Sequence, residues 1–200
     1  MKKGFTLIEM LVSVGIFTVV MVVALGALLA VSESDRKAQT IKSVTNNLGF
    51  ALEGISRTIR TGIDYSCDSW TPGSDCTSGS GGALITFQDI NGEEVGYQRS
   101  TNATLCGQSV DRGVGCIVRS RDGGSNWEPI TAPEVVIEQL AFFLLGSSRS
   151  DDTQPRVTIS MRGFMPITGG ATVRSDCNTT GITCSTFDIQ TTVTQRLYDQ

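Results

Sequence analysis

One carboxylate stands where chains rarely place one. Glu9 lies inside an apolar run from Phe5 to Val31, and no other charge falls within that run. An ionised side chain inside a spanning helix costs roughly 3 kcal/mol, so by default it is a functional group that needs a partner of opposite charge. Lys2 and Lys3 precede the run, with Gly4 between them and Phe5. If the chain is cut after Gly4, the new α-amine of Phe5 lies one helical turn from Glu9, and a neighbouring copy offers the same amine at the same depth. The second reactive set is the six cysteines, which fall into close couples: Cys67 with Cys76, Cys106 with Cys116, and Cys177 with Cys184. An even number in an exported domain reads as disulfides formed in an oxidising compartment. Sequence cannot choose among the formal pairings. The local ones are favoured because each couple brackets a loop rich in Gly, Ser, Thr and Asp, and closing about ten residues restricts the unfolded chain by roughly 2 to 3 kcal/mol.

Other chemistries find little support. The chain has no histidine and no Cys-x2-Cys knuckle, which argues against zinc. A nucleophilic serine needs a base, and the lysines at 2, 3, 37 and 42 all lie in the N-terminal segment or the helix that follows. The adjacent acids Glu93 and Glu94, and Asp151 and Asp152, read as solvated turn charge, with calcium at Asp151 and Asp152 an open alternative. Asp89 to Glu94 does not fit the calcium-loop template. Gly113-Val114-Gly115 lacks the Lys-Ser/Thr of a phosphate loop. The formal charge is −4 and becomes two units more acidic if Lys2 and Lys3 are removed, so nucleic acid is a poor partner despite Arg112, Arg119 and Arg121. The expectation is no enzyme, no cofactor and no metal.

The elements that position these groups follow from periodicity. From Met10 to Val31 there is neither charge nor proline, enough to cross a bilayer at about 1.5 Å per residue. Beyond Val31, Ile41, Val44, Leu48, Ala51 or Leu52, Ile55, Ile59 and Ile63 recur at spacings of three and four, which predicts an amphipathic helix continuous with the first. Glycines 15, 26, 49 and 54 lower its propensity and predict local bending. After Gly62 the pattern becomes strand-like: 83–89, an Asn91-Gly92 turn, 94–99, 114–119, 135–145, 156–162 and 186–195. In the last, Phe187, Ile189, Thr191, Val193 and Gln195 share a face. The predicted fold is α+β, a long N-terminal helix packed on an antiparallel β-sheet.

Lys-Lys-Gly followed by Phe-Thr-Leu-Ile-Glu resembles the leader and cleavage site of type IV pilins and type II secretion pseudopilins. The resemblance implies cleavage after Gly4 by a membrane prepilin peptidase, methylation of the Phe5 amine, and a role for Glu9 in aligning subunits. It divides the chain into a leader at 1–4, a transmembrane and filament-core helix at 5–31, an amphipathic helix at 32–63 and a disulfide-containing β-rich domain at 64–200. It also implies partners: other pilin or pseudopilin subunits, an inner-membrane assembly platform, and membrane lipid before assembly. The precursor is then a single-pass inner-membrane protein with its domain outside the cytoplasm, later part of a filament. Glu9 is expected to be unsatisfied until a neighbour's amine arrives, an attraction of roughly 4 kcal/mol at about 4 Å and a dielectric near 20 before desolvation. Ile55 to Arg60 and Gln190 to Arg196 are similar to W-type minor pilins and J-type minor pseudopilins, which implies a minor subunit. The rival readings are a filament-displayed adhesin or cargo-binding module, a singly anchored surface protein, and a secreted domain released near Leu28-Leu29-Ala30.

Overall fold

In the computed structural model, residues 4, 6–77, 79–110, 113–148, 153–167 and 183–196 are described. The chain forms two compact units, Met1–Lys42 and Ser43–Gln200. Helix α1 (Leu7–Thr61) begins in the first and ends in the second, and it is unbroken through all four glycines. No proline interrupts it, and most of its residues are good helix formers. At its far end Arg60 lies in the last turn, where a cation complements the helix dipole. The terminal carbonyls there are satisfied by side chains and by a returning strand. Tyr65 donates its hydroxyl to the Ile59 and Gly62 carbonyls, Gln195 Nε2 donates to Gly62 O at 2.9 Å, and the Arg196 amide donates to Arg60 O at 2.9 Å.

In the first unit, Leu7–Ser32 has a mean hydropathy of 2.8 and none of it is buried. The second unit carries the core. Val44, Leu48, Ile55 and Ile59 of α1 join one hydrophobic cluster with Tyr65, Ile85, Phe87, Tyr97, Ile117, Phe142, Leu144 and Ile159. The stripe read from the sequence is therefore the buried face from Val44 onward, whereas Ile41, in the first unit, is 43% exposed.

The strands are β1 (Ile63–Cys67), β2 (Leu84–Gln88), β3 (Glu94–Ser100), β4 (Cys116–Ser120), β5 (Glu128–Pro129), β6 (Val136–Leu145), β7 (Arg156–Ile167) and β8 (Thr183–Thr194). A short helix α2 (Ala103–Cys106) precedes β4, capped by Asn102, whose Oδ1 accepts from the Thr104 and Leu105 amides. The strands form two antiparallel sheets rather than a single one: β1-β2-β3-β4-β5 and β6-β7-β8. Strand β6 has a register irregularity between Ile137 and Gln139, and its outer edge meets the other sheet's connections only locally. Those links are the isolated bridges Cys76↔Leu144 and Gly82↔Phe142 and the Ile137 amide donating to Gly115 O at 2.8 Å. No continuous ladder forms, so the sheets share a core without merging.

The β2–β3 hairpin turns at Asn91-Gly92 as expected, with Gly92 at φ +80°. Asp89 holds the turn by accepting from the Asn91 and Glu93 amides at 2.8 and 3.0 Å. Strand β7 runs five residues past the expected end at 162, because Gly163–Ile167 pairs with Thr183–Phe187. Along β8 and the residue after it the alternation holds: Phe187, Ile189, Thr191, Val193 and Gln195 turn inward while the residues between them are exposed.

Candidate functional site

The N-terminal turn of α1 places the acid. Thr6 precedes the helix and Glu9 lies three residues on, the spacing of a capping box. The Thr6 amide donates to Glu9 Oε2 at 2.9 Å, the Thr6 hydroxyl donates to the same oxygen at 2.9 Å, and the Glu9 amide donates back to Thr6 Oγ1 at 3.4 Å. The carboxylate also sits in the first turn, where the helix dipole favours negative charge. Glu9 in the lone chain is therefore not unsatisfied, which corrects the expectation from sequence. Its own helix start supplies two donors because Thr6 is within reach of one oxygen. No hydrogen bond to Oε1 occurs among the described residues, so that oxygen is open to an outside donor.

The other hydroxyls of the apolar stretch turn back on the helix. Ser13 donates to Met10 O at 3.0 Å and Thr18 to Gly15 O at 2.8 Å. Glu9 is left as the ionisable group of a segment whose large apolar side chains, Leu7, Ile8, Leu11 and Phe17 among them, are exposed. Exposed apolar area of that extent is what a lipid phase or a bundle of like helices removes from water.

The remaining candidates divide cleanly. Gly4 is exposed, whereas Phe5, Lys2 and Lys3 lie outside the described residues. Cys67 is bonded to Cys76 with Cα atoms 5.8 Å apart, and Cys106 to Cys116 at 5.6 Å. Cys184 is also disulfide-bonded, while Cys177 lies outside the described residues, as do Arg112, Asp151 and Asp152. Arg119 pairs with Glu128 at 3.3 Å. Among the described residues no group of three His, Cys, Asp or Glu side chains converges as a metal site. Thr6 was the residue that reading for charge overlooked; the Thr-x-x-Glu spacing at 6–9 carries the signal.

Residues 1–25 match the family model described as the prokaryotic N-terminal methylation motif. The match covers the basic residues, Gly4, Phe5, the capping pair and most of the apolar segment. It supports a type IV pilin-like subunit, and with it assembly alongside other pilin subunits and processing by a prepilin peptidase in general terms. An apolar N-terminal helix after such a motif fits a membrane-anchored precursor that later enters a filament. No curated protein and no solved structure matches the chain.

Proposed function

We propose that this chain is a minor subunit of a type IV pilus or type II secretion pseudopilus. The observation that carries the reading is the methylation motif at residues 1–25, running into a helix whose apolar first half, Leu7–Ser32, is bare and holds Glu9 as its single ionisable group. The precursor sits once across the inner membrane, with Lys2 and Lys3 in the cytoplasm and the cysteine-bearing domain outside. The peptidase removes 1–4, and the Phe5 amine is methylated. While the subunit waits in lipid, Thr6 keeps one oxygen of Glu9 hydrogen-bonded, which lowers the cost of holding a carboxylate there. On docking, a neighbour's Phe5 amine approaches the open oxygen and sets the axial register. Cohesion comes from burying the apolar helices against one another, at about 25 cal/mol per Å² removed from solvent. An assembly platform in the membrane supplies the work of extraction.

Glu9→Leu tests this reading. The expected result is a membrane-inserted precursor at normal level, with incorporation into filaments reduced by at least about tenfold, since the lost attraction exceeds about 1.4 kcal/mol. Normal incorporation of the leucine variant would reject the role given to Glu9, and absence of both parent and variant from filaments would leave the singly anchored surface protein.

A further inference from the structure

Both tryptophans of the chain meet over one glycine. A Cβ built on Gly96 of β3 falls 2.7 Å from Trp70 Cη2 and 3.4 Å from Trp127 Cη2. Val95 and Tyr97 on either side point into the main core, so Gly96 faces the opposite side of the five-stranded sheet. There the register aligns Ser66, Thr86, Gly96 and Ser120 in one row across β1 to β4, all buried and all small. The row forms a flat seat for an indole. The hydroxyls of the seat fix the segments that deliver it: Thr86 donates to Ser69 O at 2.6 Å and Ser66 to Thr71 O at 2.6 Å, clamping both neighbours of Trp70. The Cys67–Cys76 disulfide closes that loop. Ser120 Oγ accepts from the Gly124 amide at 2.9 Å, and a Cβ on Gly124 falls 3.0 Å from Trp70 Cζ2. Trp127 packs beside the Cys106–Cys116 bridge. Neither indole is fully buried.

We propose that the Trp70–Trp127 face binds a neutral glycan chain, with a pyranose ring lying flat on the indoles. A pyranose presents C–H groups on its faces and hydroxyls around its rim, so it fits a fixed aromatic surface edged by polar groups. The edge here is polar: Asp122, Ser125 and Asn126 are exposed, and Gln98, two residues along β3 from Gly96, is half-buried. No large aliphatic side chain of β1 to β5 is exposed among the described residues, so the surface lacks the apolar surround of a protein-docking patch. Glu94, two residues from Gly96 on β3, and Asp122, just after β4, outnumber Arg121. That balance selects against sulfated or uronic sugars. The proposal uses no residue of α1 and stands apart from filament assembly.

The test is titration of the full chain, in a sugar-free zwitterionic detergent, with maltohexaose, cellohexaose and chitohexaose, following tryptophan emission. Since both fluorophores lie in the site, emission reports on it alone. The expected result is a saturable change with at least one of the three, at a roughly millimolar Kd. Trp70→Phe, which keeps the glycine covered, and Asn126→Ala, at the exposed edge, should each weaken binding about tenfold with circular dichroism and disulfides unchanged. The proposal is overturned if all three sugars leave emission flat, if both variants bind as the parent does, or if a heparin hexasaccharide binds as tightly as the best neutral sugar.

Discussion

Replacing Ile55 by alanine should destabilise the β-rich unit, while replacing Phe50, less than two turns away on the same helix, should not. Ile55 is 1% exposed and belongs to the main cluster; Phe50 is 80% exposed. Ile55→Ala removes three carbons from the core, about 2.4 kcal/mol of transfer free energy at about 0.8 kcal/mol each. The cavity left behind raises this to about 3 to 4 kcal/mol, within the usual range for such truncations. In a unit of this size a loss of that order lowers Tm by about 10 °C. Phe50→Ala removes little buried area and places a better helix former in an exposed position, so its Tm should stay within about 2 °C of the parent. The assay is thermal unfolding of the full chain in detergent, followed by near-ultraviolet circular dichroism of the tryptophans. Equal shifts for the two variants, or no shift for Ile55→Ala, would refute the idea that one stripe of α1 completes the core.

Two further outcomes follow from the loops. Cys106→Ala with Cys116→Ala reopens a loop of sequence separation 10 and should cost about 2.7 kcal/mol on the chain-entropy account, read as a lower urea midpoint with a slope equal to or steeper than the parent's, because the unfolded chain expands. Asp122 is held at about 2 by the Asn126 amide, then the Ser120 hydroxyl and the Asn126 side-chain amide. Its folded pKa lies below its unfolded value, so its contribution to loop order is complete above about pH 4 and is lost as pH falls toward about 2. Acid titration of tryptophan emission should show a step in that window, and Asp122→Asn should abolish it.

What could be read from the sequence was set by how local each signal is. The helix stripe from Val44 to Ile59, the alternation of β8 and the Asn91-Gly92 hairpin each depend on neighbours a few residues apart, and each is found as read. Strand β1 escaped because Asp64 adopts φ +58° and the register shifts between Ile63 and Ser66, which breaks the period-two pattern. Strand β5 is two residues ending in proline, too short to carry a pattern. The division into two sheets depends on which distant edges meet, and no local period encodes that. The seat beneath Trp70 is hidden for a different reason: Ser66, Thr86 and Ser120 are polar residues that no local pattern marks as buried, and only the register brings them into one row. At the N-terminus the acid is legible from its charge, whereas Thr6 is neutral and is marked only by the capping-box spacing to Glu9.

The central claim is that the mature chain begins at a processed phenylalanine whose amine meets Glu9 of a sister subunit. Intact-mass and fragment spectrometry of the chain purified from its native membrane or filament tests it most directly. The account predicts an N-terminus at N-methylated Phe5, with Met1 to Gly4 gone. An N-terminus still carrying Met1 to Gly4, or one starting near Val31, would contradict it.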